Sequence, residues 1–260
     1  MTDENRPSRR GLMALAGGGA ASVALAGCDR LSASPEAYKA LSTGERLTQQ
    51  AQRALIGRSA LAREYPPEAI SREFRANGST NPDSAEYQAH VAAGFTDWRL
   101  QIGGLVERPL NLSLAALRQA PARTQITRHD CVEGWSCIAK WRGARLAPLL
   151  ERAGVKPEAR YVAFFCADTL ELTLDGTGDY YETIDLLDAH HPQTILAYDM
   201  NDAPLTIAHG APLRLRLERQ LGYKMAKYVM RIELIEDFAH LGRGRGGYWE
   251  DRGYQWYAGI

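Results

Sequence analysis

The sequence predicts an α+β fold, because short segments with strand periodicity occur beside segments with helical periodicity. Trp98, Leu100 and Ile102 alternate as on a strand with one buried face, and Gly103-Gly104 is expected to turn the chain. Further strands are predicted at residues 124–127, 161–165, 170–174, 213–217 and 228–235. With 260 residues, 45% of them hydrophobic, the chain can bury a sizeable core, so we expect one large domain plus an extension.

Two segments have the periodicity of helices. Ser42 and Glu45 have the spacing of a capping box, and apolar residues recur at a helical period from Leu47 to Ala62, before Pro66-Pro67. A second helix is predicted from Ala147 to Ala153. We expect the first helix to pack on the domain that follows it.

The charge composition limits the classes of partner. The chain has 31 basic and 31 acidic residues, which gives a formal net charge of zero. Binding to nucleic acid or to anionic membranes by charge normally requires a basic excess, although a local cluster can supply it. The composition therefore gives no reason to expect nucleic acid as a partner.

The first 28 residues have the pattern of an export signal. Arg9 and Arg10 precede an apolar run of small residues from Leu12 to Gly27, which is too short and too weakly hydrophobic for a good membrane span. An arginine pair in this place resembles a twin-arginine signal, which exports proteins that are already folded around a cofactor. We therefore expect a periplasmic location.

Cys28 ends this run in the sequence Leu-Ala-Gly-Cys, which resembles a lipobox, where the cysteine is acylated. Asp29 follows, and aspartate in this place implies retention at the inner membrane. The alternative is a cleaved, unanchored protein whose signal happens to contain a cysteine. The predicted organisation is a signal at residues 1–28, a spacer and amphipathic helix at residues 29–70, and a catalytic domain at residues 71–260.

Cys131 lies in an unusually polar setting. Its neighbours are Arg128, His129, Asp130, Glu133 and Gly134. An ionised sulfur in such a setting is a metal ligand or a nucleophile, whereas an isolated cysteine is more commonly a small buried apolar residue. Cys137 and Cys166 are too far away in sequence to form a close ligand pair with it, which disfavours a structural zinc site.

The residues around Cys131 also resemble a known family. The sequence C-V-E-G-W-S, followed by W-R-G and L-A-P-L-L, is similar to the molybdenum-binding loop of the sulfite-oxidase family, especially its periplasmic methionine-sulfoxide reductase branch. The resemblance implies a mixed-sheet molybdopterin-binding domain, a molybdenum–molybdopterin cofactor, and Cys131 as the metal ligand. The final residues, G-G-Y-W-E-D-R-G-Y-Q-W-Y-A-G-I, resemble short members of this family. We therefore expect no immunoglobulin-like dimerisation domain and a monomeric protein.

The same resemblance implies a set of cofactor contacts. They are Asn77, Cys166, His209, Arg214, Met225, Ala226 and Lys227. A phosphate such as that of the pterin requires arginine forks, lysine charges and backbone N–H groups, and the segments around Arg214 and Lys227 can supply them. Without the Cys131 loop, these segments would be interpreted as a basic, solvated hairpin.

The expected function is an exported oxidoreductase that reduces S-oxide or N-oxide groups by oxygen-atom transfer at molybdenum. Arg128 or His129 is expected to orient the substrate, a small molecule or an oxidised protein, and Glu133 to relay protons. No haem, flavin or dinucleotide motif is present in the sequence, so we expect a haem-containing electron donor in the inner membrane. The alternatives are a sulfite-oxidising enzyme and a non-catalytic exported lipoprotein that binds or assembles other components.

Replacing Arg9 and Arg10 together by lysine should leave folded precursor in the cytoplasm, because the twin-arginine route recognises this pair. Cell fractionation and immunoblotting measure the distribution, and Arg6→Lys, a change outside the pair, is the matched control. Normal periplasmic delivery of the double variant would show that another route exports the protein.

Overall fold

The structure is a computed structural model that describes residues 34–260, so the predicted signal and Cys28 lie outside the described residues. Two compact units adjoin in sequence at Ala51. They are Met1–Ala51, of which residues 34–51 are described, and Gln52–Ile260. None of the helices in the described part of the chain is long and apolar enough to cross a membrane.

The described helices are short apart from the first. They are α1 (Pro35–Ile56), α2 (Ala85–Ala92), α3 (Leu114–Gln119), α4 (Leu146–Ala153) and α5 (Leu186–Ala189). The strands are β1 (Arg99–Gly104), β2 (Leu110–Ser113), β3 (Ala122–Asp130), β4 (Ser136–Arg145), β5 (Tyr161–Thr169), β6 (Asp179–Asp185), β7 (Ile195–Met200), β8 (Ala203–Pro204), β9 (Arg214–Arg216) and β10 (Val229–Ile235).

Two five-stranded sheets are built from these strands. The first has the order β2-β1-β10-β5-β6, in which β1 and β10 are parallel and the other pairs are antiparallel. The second has the order β3-β4-β7-β8, with β9 also paired to β7, and is antiparallel throughout. The prediction of an α+β fold with a mixed sheet is therefore confirmed.

The main hydrophobic core draws on both sheets and on α4. Leu100 and Ile102 alternate inward on β1, as their spacing predicted, and Leu150 of α4 and Leu196 of β7 are fully buried in the same cluster. A second, smaller cluster surrounds Trp141 of β4. This second cluster lies against the segment that lines the candidate active site, so packing of the second sheet and geometry of the site are connected.

Helix α1 ends at Ile56 and does not extend to Ala62, the end that the periodicity predicted. Leu55 is 86% exposed near its end. Within the second unit, Arg53 forms two ion pairs, one with Asp185 at 2.5 Å and one with Asp188 at 3.1 Å. Ion pairs therefore fix the last turn of α1, while its apolar side chains remain exposed to solvent.

The predicted strand at residues 170–174 is wrong. These residues form turns between β5 and β6, and Leu172 and Leu174 are fully exposed. The alternation of leucines with polar residues imitates a strand, but no neighbouring strand is available to pair with the segment. Gly103 and Gly104 also differ from expectation, because both belong to β1 and the turn follows them.

The segment after β10 folds back over the first sheet. Glu250 shares the buried ammonium group of Lys224 with Glu182 of β6, at 2.5 Å to each carboxylate. Asp251 accepts hydrogen bonds from the Tyr181 hydroxyl at 2.8 Å and from the backbone N–H groups of Arg243 and Arg245. These contacts place Trp249 and Tyr254 beside the candidate site.

Gly143→Ala should destabilise the protein by about 2 kcal/mol, because a Cβ atom at this position of β4 would lie 2.3 Å from the carbonyl oxygen of Leu196 on β7. Gly103→Ala is the matched control, since a Cβ on that strand glycine would contact nothing within 4 Å. Urea unfolding of both variants measures the difference. Equal loss of stability in the two would show that strand propensity, and not the close approach of β4 to β7, decides the effect.

Candidate active site

The turn between β3 and β4 forms one wall of a cavity of about 260 Å³. Eight of the residues that the sequence singled out lie in the cavity wall: Asn77, His129, Cys131, Glu133, His209, Arg214, Met225 and Lys227. Segments far apart in sequence therefore converge on one volume. The motifs could bind a common ligand only if they met in this way.

Cys131 is held by a tight turn. Its backbone N–H donates to the carbonyl of Trp135 at 2.9 Å, and its own carbonyl accepts from Gly134 at 3.0 Å. Gly134 has a φ of +85°, a conformation that favours glycine, so the sequence Glu-Gly after the cysteine fits the turn. Antiparallel strands support both ends of this turn, which fixes the sulfur relative to the cavity.

The Cys131 sulfur faces two hydrogen-bond donors. The Asn77 side-chain amide donates to Sγ at 3.3 Å, and the backbone N–H of Glu133 also stabilises the thiolate. Burial nevertheless raises the pKa of the thiol above its ordinary value. A soft cation in the cavity would favour the thiolate and reverse this shift. Among the described residues, no group of three His, Cys, Asp or Glu side chains is placed to hold a metal ion.

Two cations of the wall form no ion pair with a carboxylate in the described part of the chain. Arg214 donates to the carbonyl of His209 at 3.1 Å, and Lys227 donates to the carbonyl of Asn77 at 2.7 Å. Burial and the nearby Arg216 lower the pKa of Arg214 to about 9. Burial and Arg214 lower the pKa of Lys227 to about 8. The Arg214 Nε atom is buried without a hydrogen-bond partner among the described residues. Such a pair of cations is stabilised by a bound anion.

His129 is held in one tautomer by a buried arginine. Arg216 Nη1 donates to His129 Nδ1 at 3.0 Å, and because a guanidinium can only donate, the ring proton resides on Nε2. Burial and the charge of Arg216 lower the pKa of His129 well below its ordinary range, so the ring is neutral. Glu218 balances the charge of Arg216 through an ion pair of 2.7 Å. The result is a neutral imidazole with a fixed N–H donor.

Gly222 lies against this imidazole. A Cβ atom at position 222 would be 2.4 Å from His129 Nε2, so this position excludes any side chain. The segments around Arg214 and Lys227 were predicted to provide backbone N–H groups for a phosphate. In the structure, the lack of a side chain at Gly222, close to Lys227 in sequence, leaves space for the histidine ring.

His209 supports the loop that carries Asn77. Its Nε2 donates to the carbonyl of Phe74 at 3.0 Å, and its Nδ1 accepts from the Thr206 hydroxyl at 2.8 Å. Both ring nitrogens are therefore engaged within the protein. His209 lies in the wall, but its hydrogen bonds position the loop and leave neither nitrogen for a phosphate.

Three of the predicted site residues are not part of the cavity wall. Arg128 forms an ion pair with Asp130 at 2.8 Å, with its side chain half exposed, so the structure gives no support to its expected role in orienting substrate. Cys166 packs against the main core, and burial raises its pKa well above its ordinary value. Ala226 is fully buried next to the wall and contributes its backbone to the turn.

The structure adds residues that the sequence did not single out. Asp168 is 4% exposed in the cavity wall, its Oδ1 has no hydrogen-bond partner among the described residues, and burial raises its pKa to about 7. Trp249 and Tyr254 stack at 5.3 Å on the opposite side. The only signal for Asp168 was an acidic residue near the end of the largely apolar β5.

Comparison with known proteins identifies the family. Residues 88–240 match the family described as oxidoreductase molybdopterin binding domain. The chain belongs to this family. The matched region contains the Cys131 turn, Arg214 and Lys227, so the assignment rests on the segments that build most of the cavity.

Relatives of this molybdopterin oxidoreductase include named reductases. It is 38% identical over 199 residues to YedZ1 of Azospira oryzae, named as a protein-methionine-sulfoxide reductase subunit, with 76% of this chain and 68% of that protein covered. It is 33% identical over 150 residues to the protein-methionine-sulfoxide reductase catalytic subunit MsrP of Campylobacter jejuni, with 54% and 50% covered. The chain thus spans about half the length of that MsrP.

A solved structure is also similar to this molybdopterin oxidoreductase. The sulfane dehydrogenase SoxCD from Paracoccus pantotrophus matches with a TM-score of 0.48 and 25% sequence identity. The match covers 55% of this chain and 39% of the SoxCD chain.

The cavity wall fits a molybdenum–molybdopterin cofactor. Cys131 offers one sulfur with two donors directed at it, which suits a metal whose remaining ligands come from the cofactor. Arg214 and Lys227 offer two positive charges that form no ion pair among the described residues, which suits the terminal phosphate. The unpartnered Asp168 Oδ1 can accept from an N–H group of a ligand.

The affinity of the cofactor-free protein for sulfate should fall at least about tenfold from pH 7 to pH 9, because Lys227, with a pKa of about 8, binds an anion only when protonated. Arg214, with a pKa of about 9, and Asp168, with a pKa of about 7, add to the fall. Sulfate keeps its own charge across this range, so the slope reports on the protein. Isothermal titration calorimetry gives the affinities. Lys227→Met should bind sulfate more weakly and with a smaller fall across this range, and an unaltered slope in this variant would assign the titration to another group.

Proposed function

We propose that the protein is an exported molybdenum-dependent reductase of S-oxide groups, with methionine sulfoxide in proteins as its substrate class. The observation that carries the proposal is the presence of Cys131, with its donors, in one cavity with the unbalanced cations Arg214 and Lys227. The names of the relatives, which are methionine-sulfoxide reductase subunits, support the choice of substrate.

In this proposal, Cys131 ligates molybdenum and Arg214 and Lys227 bind the phosphate of the pterin. When bound, the cofactor supplies two-electron oxygen-atom transfer. Reduction of a sulfoxide to a thioether also consumes two protons and releases one water. The chain must therefore bind and orient the sulfoxide, deliver protons and limit the access of bulk water.

Protons are delivered by carboxyl groups in the cavity wall. Asp168 has a pKa of about 7 and can hold a proton at neutral pH, while Glu133 lies at the exposed side and accepts from Trp135 Nε1 at 3.0 Å. His129 contributes a hydrogen bond from Nε2, because its neutral ring is a poor proton donor but a fixed N–H group. The carboxyl groups are therefore the proton source, and His129 orients the substrate.

Aromatic side chains favour a sulfoxide over a sulfite ion. Trp249, Tyr254 and Tyr223 lie in the wall, and the Tyr223 hydroxyl is already bound to the carbonyl of Gln255 at 2.6 Å. Ring faces suit the methyl and methylene groups beside sulfur. The wall cations Arg214 and Lys227 are committed to the cofactor in this proposal, and Arg128 lies outside the wall. Arg75, the remaining arginine of the wall, stacks on the Trp135 ring at 5.4 Å.

The location and the electron donor form part of the same proposal. The arginine pair at residues 9 and 10 directs export, Cys28 is acylated, and a haem-containing protein of the inner membrane supplies electrons. The names of the relatives describe subunits, which supports a partner protein.

Enzyme expressed in a molybdopterin-competent host should oxidise reduced viologen with methionine sulfoxide, and Cys131→Ser should lose at least about a hundredfold in kcat/KM. X-ray absorption should show one fewer sulfur neighbour of molybdenum in this variant. Cys137→Ser is the matched control, because the Cys137 thiol contacts the carbonyl of Glu73 and does not line the cavity.

Two results would contradict the proposal. An unchanged sulfur count in Cys131→Ser would remove Cys131 as the ligand. Rapid oxidation of sulfite with ferricyanide, without reduction of sulfoxides, would assign the protein to the opposite reaction.

A further inference from the structure

A surface patch at the start of the second unit has no role in the cavity. Leu55 is 86% exposed, Leu61 54% and Ile56 46%. Single exposed apolar residues are ordinary on protein surfaces, but three within seven positions are a cluster. We call residues Leu55–Leu61 the apolar patch.

The backbone around the apolar patch is fixed, so its leucines do not turn inward. Arg219 donates to the carbonyl of Gly57 at 3.0 Å, and the side chain of Gln193 bonds both the N–H and the carbonyl of Ala62 at 2.7 and 3.0 Å. Arg53 holds the preceding turn through its two ion pairs. Hydrogen bonds and ion pairs therefore fix the backbone in a conformation that leaves these apolar side chains exposed to solvent.

The segment that carries the patch is basic. Residues 46–63 contain four arginines and no acidic residue, in a chain whose formal net charge is zero. The flanking acidic residues are Glu45 and Glu64, and Glu64 is paired with Arg123. Arg58 and Arg63 are exposed, whereas Arg53 is engaged in its ion pairs. Apolar side chains next to exposed arginines are the combination that binds the headgroup region of anionic membranes.

The loop between β5 and β6 provides a contrast. Leu172 and Leu174 are even more exposed than the patch leucines, but their neighbours are Glu171 and Asp175. An anionic bilayer would repel that loop. Exposure alone therefore does not distinguish the two surfaces, and charge does.

We propose that the apolar patch, with Arg58 and Arg63, lies against the surface of an anionic phospholipid bilayer. A second copy of the chain fits less well, because a two-fold contact would bring the arginines of both copies together. Leu55 lies 27 residues after the predicted acylation site Cys28, close enough in sequence for both to reach one membrane. The patch then supplies a second attachment that restricts the orientation of the domain, which a lipid chain on a tether does not.

The test uses the full chain with Cys28→Ser, so that acylation does not contribute. Flotation with vesicles of phosphatidylglycerol and phosphatidylethanolamine should recover the protein, and pure phosphatidylcholine vesicles should recover about tenfold less. Leu55→Gln with Leu61→Gln should reduce recovery about tenfold, as should Arg58→Gln with Arg63→Gln. Leu172→Gln with Leu174→Gln is the matched control and should bind as the parent does.

Binding that survives the Leu55 and Leu61 changes, or no binding by the parent, would overturn the proposal. A concentration-dependent dimer that these changes abolish would instead identify a second copy as the occupant. The substitutions are on the surface, so circular dichroism should be unchanged. Vesicle binding does not depend on molybdenum, so its failure is distinguishable from failure of the proposed reaction.

Discussion

Two cations of the cavity wall, the buried Arg214 and the partly buried Lys227, set the requirement that the rest of the active site meets. Each carries a lowered pKa because it is shielded from water and lies near another arginine, and the attraction of Glu218 for Arg214 and of Asp168 for Lys227 does not reverse the shift. A bound phosphate group would offset the cost of burying these charges. The cavity is therefore a site whose electrostatics are completed by its ligand, which explains why its polar atoms remain unpartnered within the protein.

The neighbouring arginine shows the contrast between structural and ligand-binding charge. Arg216, two residues from Arg214 on β9, is fully buried but is neutralised by Glu218 and directed at His129. Residues two positions apart on a strand share a face, so the two guanidinium groups lie side by side and differ only in their partners. Both contact the face of Trp141, at 5.0 and 4.3 Å from the ring centroid, so a single indole side chain spaces the cations.

Much of the fold could be predicted from the sequence, because alternating apolar residues fix which face of a strand is buried. This holds for β1, whose Leu100 and Ile102 pack in the main core. In β5 the consecutive residues Val162, Ala163 and Phe164 are all buried, so an apolar run and not alternation marks that strand. It fails at residues 170–174, where the alternation has no partner strand, and at the end of α1, where charge and not apolar packing holds the last turn.

The cavity residues divide in a similar way. Cys131, Arg214 and Lys227 could be found because motifs place them beside glycines and turns. Asp168 and Trp249 could not, since their importance arises only when β5 and the segment after β10 meet around one volume. The sequence placed His209 among the cofactor contacts. Its hydrogen bonds to Phe74 and Thr206 are visible only in three dimensions.

The parallel pairing of β1 with β10 has a consequence for the order of assembly. Gln101 is registered with Arg231, so the middle of the first sheet joins residues 130 positions apart. Such a pairing cannot form until nearly the whole domain has left the ribosome, and contacts of this kind form slowly. Until then the chain has no complete cavity in which to receive a cofactor. Insertion of a cofactor is therefore a late step that requires a finished chain.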